Sequence, residues 1–224
     1  MFVICKFLAA GFLGLTFISV PIAAQTIGPL APFNSVGLRD GGRVTLRHGP
    51  IQRVTFVKGS LDQTQVTVEG TRLTIKNCKF KCPSGYELQI EIVTPDVSGI
   101  SVSDGGIIQS RGEFPSRAEI RVAVAHGGTI DIRSMTVDSV TASVNQGGRI
   151  LTKPQTMLSA SVANGGGITY WGEAQVKSSI QLGGVVEKGT AADDTPLVSD
   201  SGPSVPVLPI TPKLPIQPLQ KPRR

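Results

Sequence analysis

Two polar residues in the middle of the chain, Asp104 and His126, could take part together in acid–base chemistry. Each of them directly precedes a Gly-Gly pair, so they occupy equivalent places in the sequence. A carboxylate beside an imidazole can hold or transfer a proton, which an enzyme that cleaves carbohydrate requires. The same side chains can instead form part of a ladder of polar groups that satisfy one another. We favour this ladder because the sequence has no nucleophile or phosphate-binding motif, and predict no catalytic residues.

A second pair, Tyr170 and Trp171, supplies adjacent aromatic rings in a chain that is only 5% aromatic. Exposed on one face of the fold, these rings could stack on a sugar. The alternative is that one of them packs over the end of the hydrophobic core. Tyr170, Trp171, Asp104 and His126 are therefore the candidate binding residues.

The cysteines indicate an oxidising compartment. Cys78 and Cys82 are the two that remain beyond the N-terminal segment, and an exported chain most simply joins such a pair in a disulfide. A redox-active pair is the alternative, but it would have two intervening residues and a following helix. A metal site would need more ligands than are near these cysteines, so we predict no metal and no other cofactor.

Residues 1–24 resemble a secretory signal peptide. Lys6 precedes an apolar stretch over 7–20, and small residues lead to Ala24. An uncleaved anchor is the alternative, but this stretch is shorter than the roughly 20 residues of a membrane-spanning helix. We expect cleavage near Ala24, a short linker over 25–32, and export to the periplasm, outer cell surface or extracellular space, with no transmembrane segment after cleavage.

Residues 190–224 are rich in proline. Six prolines recur at every third position from Pro203 to Pro218, which is typical of a polyproline II helix. Such a segment cannot build a core, so we predict a disordered or polyproline II tail. It could serve as a spacer, as a ligand for an aromatic groove, or simply as a solvated end.

A repeat organises the middle of the chain. Five Gly-Gly pairs recur at nearly regular intervals, and a β-branched aliphatic residue stands three positions before each pair and three after its first glycine. This regularity predicts a solenoid of stacked units. The glycines are Gly105, Gly106, Gly127, Gly128, Gly147, Gly148, Gly165, Gly166, Gly183 and Gly184.

The units are typical of β-strands. Ile120, Val122 and Val124 alternate with other residues, as in a strand with one buried face, and no long amphipathic helix appears. The Gly pairs would form corners, where positive φ or close stacking excludes a Cβ atom. We predict an all-β fold, a parallel β-helix over 33–189, in which the segment 36–92 forms the first coils and a cap.

The same residues resemble the family of auto-transporter adhesins with a head GIN domain. The resemblance covers about 33–189 and rests on the alternation from Val44 to Phe56, the Val-x-x-Gly-Gly-x-Ile units, and the run 165–172. This chain has Gly-Gly at corners where the family often has Gly-Ser-Gly. The resemblance implies an exported right-handed β-helix with a surface-binding role and names no catalytic residues.

The charge pattern excludes nucleic acid as a partner, because the net charge of +6 is spread thinly with no run of Lys and Arg. We predict an exported, non-enzymatic β-helix that acts as an adhesin-like or envelope-associated binding or structural module. Its partner would be an envelope or extracellular polysaccharide, or a surface protein. A carbohydrate-active β-helix enzyme is the alternative, and homo-oligomers formed by stacked coils are a third interpretation.

Overall fold

The computed structural model describes residues 25–80 and 82–190, which form β-strands and no helix. Accordingly, this part of the chain holds no helix that could cross a membrane. The predicted signal peptide and all of the proline-rich tail beyond residue 190 lie outside the described residues. The strands are β1 (Gln25–Thr26), β2 (Ser35–Arg39), β3 (Arg43–His48), β4 (Arg53–Lys58), β5 (Gln65–Glu69), β6 (Arg72–Lys76), β7 (Gln89–Thr94), β8 (Gly99–Ser103), β9 (Ile107–Arg111), β10 (Arg117–Ala125), β11 (Thr129–Asp131), β12 (Val137–Asn145), β13 (Arg149–Thr152), β14 (Pro154–Ala163), β15 (Gly167–Tyr170), β16 (Gln175–Ile180) and β17 (Val185–Lys188).

These strands form two sheets, which confirms the all-β prediction. Sheet A has the order β1-β4-β7-β3-β9-β11-β13-β15-β17, and sheet B has the order β16-β14-β12-β10-β8-β2-β6-β5. From β8 onward, consecutive strands alternate between the sheets, and every neighbouring pair is parallel. We call each strand of sheet B, together with the next strand of sheet A and the corner that joins them, a rung.

The N-terminal part departs from the predicted parallel arrangement. The pairs β1·β4, β4·β7 and β5·β6 are antiparallel, so both sheets are mixed. The hairpin β5·β6 reverses the chain at Gly70, which has a φ of 57°. The rung β2/β3 does not begin the stack, because it lies between strands β6 and β7 on one side and the rung β8/β9 on the other.

The core consists of aliphatic side chains that alternate with solvent-facing residues along each strand. Ile130 pairs with Ile150, which pairs with Ile168, so one β-branched column runs through successive rungs of sheet A. All three side chains are fully buried. Burial of each stabilises the fold by about 1.5–3 kcal/mol. The repeated valines and isoleucines of the sequence are therefore the residues that hold neighbouring rungs together.

The Gly-Gly pairs lie at the corners between the two sheets. Asp40-Gly41-Gly42, between β2 and β3, forms a sixth corner of the same kind, with positive φ at all three residues. At Gly148, a Cβ atom would lie 2.9 Å from the carbonyl oxygen of Gly128 and 2.4 Å from Cγ1 of Val124. The second glycine of a corner is therefore a point at which the backbones of adjacent rungs meet.

The connection between β6 and β7 contains the predicted disulfide. Cys78 and Cys82 are joined by a bond of 2.04 Å, which confirms the pairing. Tyr86 anchors the connection, because its hydroxyl accepts a hydrogen bond of 3.0 Å from the backbone N–H of Ser60 and lies 2.9 Å from Oγ1 of Thr64. The loop is thus fixed both by a covalent bond and by contacts with the segment that follows β4.

Candidate functional site

The corner residues that precede each Gly-Gly pair form a column along one side of the stack, which we call the corner column. Asp104 and His126 meet there, with Oδ1 of Asp104 3.4 Å from Nδ1 of His126. Both residues have positive φ, 60° and 55°, which Asp tolerates better than most residues and β-branched residues hardly at all. Their side chains are 44% and 56% exposed, so water surrounds the contact. The column consists of Asp40, Asp104, His126, Gln146, Asn164 and Leu182.

The surroundings of this pair favour a structural role. Further along the stack, Nδ2 of Asn164 donates a hydrogen bond of 3.2 Å to Oδ1 of Asn145, so polar side chains of adjacent rungs satisfy one another there too. Between 25–80 and 82–190 there is no group of three or more His, Cys, Asp or Glu residues that could hold a metal ion. Side chains as exposed as those of Asp104 and His126 do not enclose a substrate.

The two aromatic candidates differ in their surroundings. Trp171 is buried, at 8% exposure, and its Nε1–H donates a hydrogen bond of 3.0 Å to the carbonyl oxygen of Thr190. Tyr170 is half-buried and packs against the hydrophobic core. The ring of Trp171 packs against Gly189 and Thr190, which is closer to the packing alternative than to sugar stacking. Sugar stacking requires an open ring face, which this position does not provide.

A buried ion pair lies against Trp171. Arg133 donates hydrogen bonds to both carboxylate oxygens of Asp131, from Nε at 2.9 Å and from Nη2 at 2.7 Å. The Arg133 guanidinium also lies 4.9 Å from the centre of the indole ring, which is a cation–π contact. No sequence pattern indicates this cluster, because Arg133 and Trp171 come from different rungs and are distant in the sequence.

The outer face of sheet B carries a groove that the sequence analysis did not single out. Three neighbouring strands, β12, β14 and β16, line this groove of about 370 Å³, which we call the outer groove. Residues on alternate positions of these strands face outward, and the intervening Ala142, Ala160 and Ser178, which lie at inward-facing positions, also border the groove. The lining residues are Thr141, Ala142, Ser143, Ser159, Ala160, Ser161, Lys177, Ser178 and Ser179.

The outer groove offers repeated hydroxyl groups. Strand pairing aligns Ser143, Ser161 and Ser179 in one row, and all three are exposed. A second row, from Thr141 through Ser159, ends at Lys177. Each Ser or Thr hydroxyl can donate one hydrogen bond and accept two. Because adjacent strands lie about 4.8 Å apart, the rows repeat the same chemistry at that interval.

The pKa of one carboxyl group, that of Glu87, is shifted, and this group lies outside the corner column and the outer groove. Lys58 lowers the pKa of Glu87 through a hydrogen bond of 2.8 Å between Nζ and Oε2, and through the attraction of its charge. A lowered pKa stabilises the fold above the ordinary pKa of the group, and this stabilisation is lost as the pH falls through the lowered value. Both side chains are exposed, so the contribution is small.

The described residues define an all-β protein with two mixed sheets of stacked strands. A family model described as "Putative auto-transporter adhesin, head GIN domain" matches residues 32–150, which is more than half of the chain. The chain belongs to this family, which confirms the resemblance found in the sequence. An adhesin family is consistent with a surface or exported protein, as is the disulfide.

Several solved structures are similar to this chain. A putative adhesin from Bacteroides fragilis is 17% identical, with a TM-score of 0.47, over 75% of this chain and 97% of its own. A putative lipid binding protein from Parabacteroides distasonis is 11% identical, with a TM-score of 0.31, over 74% and 96%. A putative cell adhesion protein from Clostridium sporogenes is 8% identical, with a TM-score of 0.34, over 74% and 99%. No curated protein matches the chain.

Proposed function

We propose that this protein is an exported, non-enzymatic binding module of the adhesin type, and that its outer groove holds a segment of an extended polysaccharide. The observation that carries the proposal is the outer groove, an open depression of about 370 Å³ whose lining residues include Ser or Thr from each of three neighbouring strands. Membership of an adhesin family supports a role in binding.

The chemistry of the groove suits a repeating sugar polymer. Sugar hydroxyls donate and accept hydrogen bonds, as Ser and Thr hydroxyls do. Two parallel rows of such groups offer equivalent partners to successive units of a polymer that lies along the stack. Lys177 ends one row, where its amino group can donate hydrogen bonds to sugar oxygens.

The proposal includes the architecture of the whole chain. We infer that the rungs are coils of a right-handed β-solenoid over 33–189, because connections between parallel strands of one sheet are right-handed in about 98% of cases. Residues 1–24 would be a signal peptide, 25–32 a linker, and 190–224 a spacer. The disulfide supports export, because such bonds persist in oxidising compartments.

Retention on insoluble polysaccharides tests the proposal. The purified chain is sedimented with cellulose, chitin and peptidoglycan, and the bound fraction is measured together with released sugar ends. Ser161→Arg places a long charged side chain in the middle of the outer groove and should weaken retention about tenfold or more, the equivalent of one good contact. Gln155→Arg is the matched control, because Gln155 lies on the same strand, is exposed, and does not line the groove.

The outcomes separate the alternatives. Retention that Ser161→Arg abolishes and Gln155→Arg preserves supports the groove. Equal retention of both variants would place the binding elsewhere on the surface. Failure of the unmodified chain to bind any polymer would overturn the polysaccharide proposal and direct attention to a surface protein as the partner.

Carbohydrate cleavage is the second candidate function, favoured by the contact of 3.4 Å between Asp104 and His126. In this proposal the carboxylate and the imidazole exchange a proton with a glycosidic oxygen or with water. The assay of released sugar ends tests it directly. Product that Asp104→Asn abolishes, with folding unchanged, would establish an enzyme, whereas retention without product would exclude one for the polymers tested.

A further inference from the structure

The two sheets end together at the last rung, β16/β17. Strand β16 is the terminal strand of sheet B, and β17 is the terminal strand of sheet A. One edge of each strand therefore has no strand partner within the described part of the chain. Such an edge presents a row of backbone N–H and C=O groups that can pair with another strand. At the opposite ends, sheet A finishes in the very short strand β1 and sheet B in β5, the first strand of a hairpin, so the two sheets do not end there in one rung.

The last rung also exposes apolar side chains. At the equivalent positions of other rungs, the side chains are either buried or polar in several cases. Ile180, Leu182 and Val185 are 47%, 79% and 46% exposed. Leu182 occupies the corner column, where the other five residues are polar. It has a φ of 49°, a conformation that is unfavourable for a leucine. An exposed leucine in a strained conformation contributes little to an isolated rung, so its presence indicates a surface that a partner covers.

The chain that follows does not fit as the next rung. Continuing the last step of the repeat from β16 would place Asp194 opposite Val176 and Pro196 opposite Ser178, both at inward-facing positions. A carboxylate would then lie in the core, and proline would lack the N–H that the ladder needs. From Pro203 to Pro218 the prolines fall at every third position, so neither edge of an extended strand would keep all of its donors.

We propose that the partner is a second copy of this chain, joined end to end through β16 and β17 about a two-fold axis. A two-fold axis normal to the sheets reverses the strand direction, so β16 would pair with β16 and β17 with β17, both antiparallel. Ser178 is the third residue from the end of β16, and Val186 is the second residue of β17, so both lie close to the corner on opposite strands of the rung. The proposed axis passes near both positions.

In this register, the alternation of inward-facing and outward-facing side chains in one copy continues in the other. With Ser178 on the axis, Val176 of one copy lies opposite Ile180 of the other, so inward residues meet inward residues. Lys177 lies opposite Ser179 rather than opposite a second lysine, so like charges are not brought together. Pairing would use the free backbone groups and remove exposed apolar surface in one step. The inference does not rest on the proposed function, because no ligand takes part in it.

Oligomeric mass and a designed disulfide test the inference. The full-length chain is expressed, its mature N-terminus is identified by mass spectrometry, and its mass is measured by light scattering over a range of concentrations. Ser178→Cys should give a covalent dimer after mild oxidation, because residues paired directly across antiparallel strands bring Cβ atoms to about 4.5–5.5 Å. Ser161→Cys, one rung earlier, is the control and should give no covalent dimer under the same oxidation, although the non-covalent dimer should persist.

A second variant keeps the test independent of the cysteines. Leu182→Asn introduces a residue that tolerates positive φ, so the corner itself should form at least as well as before. The substitution also removes the apolar side chain, so the dissociation constant of the dimer should rise about ten- to hundredfold. Gln146→Asn is the control, because it also places an asparagine in the corner column but in the middle of the stack. It should leave the dimer intact.

Three outcomes would overturn the inference. The first is a monomer at every concentration, and the second is a dimer that Ser178→Cys does not trap. The third is an introduced thiol at position 178 that is shielded from alkylation within a monomer, which would show that residues 191–224 cover this end.

Discussion

The two glycines of each corner lie in different surroundings, and this difference decides which substitution each one tolerates. At Gly147 a Cβ atom would have no heavy atom within 4 Å, so the φ of 82° is the only obstacle. At Gly148 the φ is 101°, and a Cβ atom would also meet the backbone of Gly128 and the side chain of Val124. One position therefore requires only a conformation, whereas the other requires both a conformation and empty space.

The substitution of alanine at these neighbouring positions should separate the two effects. Gly147→Ala should lower the free energy of unfolding by about 1–2 kcal/mol, the cost of a left-handed conformation at a residue with a Cβ atom. Gly148→Ala should lower it by about 1–3 kcal/mol more, because the added carbon forces adjacent rungs apart. Urea denaturation followed by circular dichroism measures both values. Equal losses at the two positions would show that the rungs can separate freely at the corner.

Trp171 is a residue whose role the sequence left open between ligand binding and packing. Its burial supports packing, so Trp171→Ala should lower the free energy of unfolding by about 3–5 kcal/mol. Phe80→Ala is the control, since Phe80 is 94% exposed and its loss should change stability by less than about 0.5 kcal/mol. Thermal melts of both variants decide the matter. An unchanged melting temperature together with lost polysaccharide retention would make Trp171 a ligand contact instead.

Residue types alone could identify only part of the candidate site. Asp104 and His126 share a repeat position, so their proximity followed from the sequence. Trp171 packs against Arg133, which belongs to another rung. No local sequence pattern relates these two residues. The hydroxyl rows of the outer groove were visible as Thr141 and Ser143 on one face of a strand. Their significance was missed because Ser and Thr are ordinary residues on the exposed face of any strand.

At the scale of elements, the period of the sequence predicts which strands are neighbours only where neighbours follow one another in the chain. From β8 to β17 every rung lies beside the preceding one, so the period of the Gly-Gly repeat predicts which strands pair. The rung β2/β3 lies beside β8/β9, yet their corners at Asp40 and Asp104 are distant in the sequence. The intervening hairpin and disulfide loop hide this relation, although the motif Asp-Gly-Gly is the same at both corners.

The disulfide loop is an element whose contribution follows from its length. The bond between Cys78 and Cys82 closes a loop with a sequence separation of 4. A loop this short restricts the unfolded chain little, so replacing both cysteines with alanine should lower the free energy of unfolding by about 2 kcal/mol or less. Urea denaturation of the double variant and of the reduced unmodified chain should agree. A much larger loss would show that the bond maintains the docking of Tyr86 as well.

At the scale of the molecule, the strands from β8 to β17 form a stack in which each rung pairs only with its neighbours, and the last of these rungs has a neighbour on one side only. In such a stack stability is approximately a sum of the stability of each rung and of each interface. The middle rungs, β10/β11 and β12/β13, have neighbours on both sides. The last rung has one neighbour and exposes Ile180 and Val185, so less free energy is needed to open it. Stability should therefore vary along the stack rather than being uniform.

Native-state hydrogen exchange should show this gradient at protein concentrations low enough to keep the chain monomeric. Amides of β10 to β13 should exchange most slowly, by global unfolding, whereas those of β16 and β17 should exchange faster through local opening. Ile130→Ala should accelerate exchange throughout the stack, because Ile130 is fully buried in the middle, whereas Ile180→Ala should affect mainly the last rung. Uniform protection in all rungs would contradict this account, since it would mean that the stack opens only as one cooperative unit and that its last interface is as strong as those within.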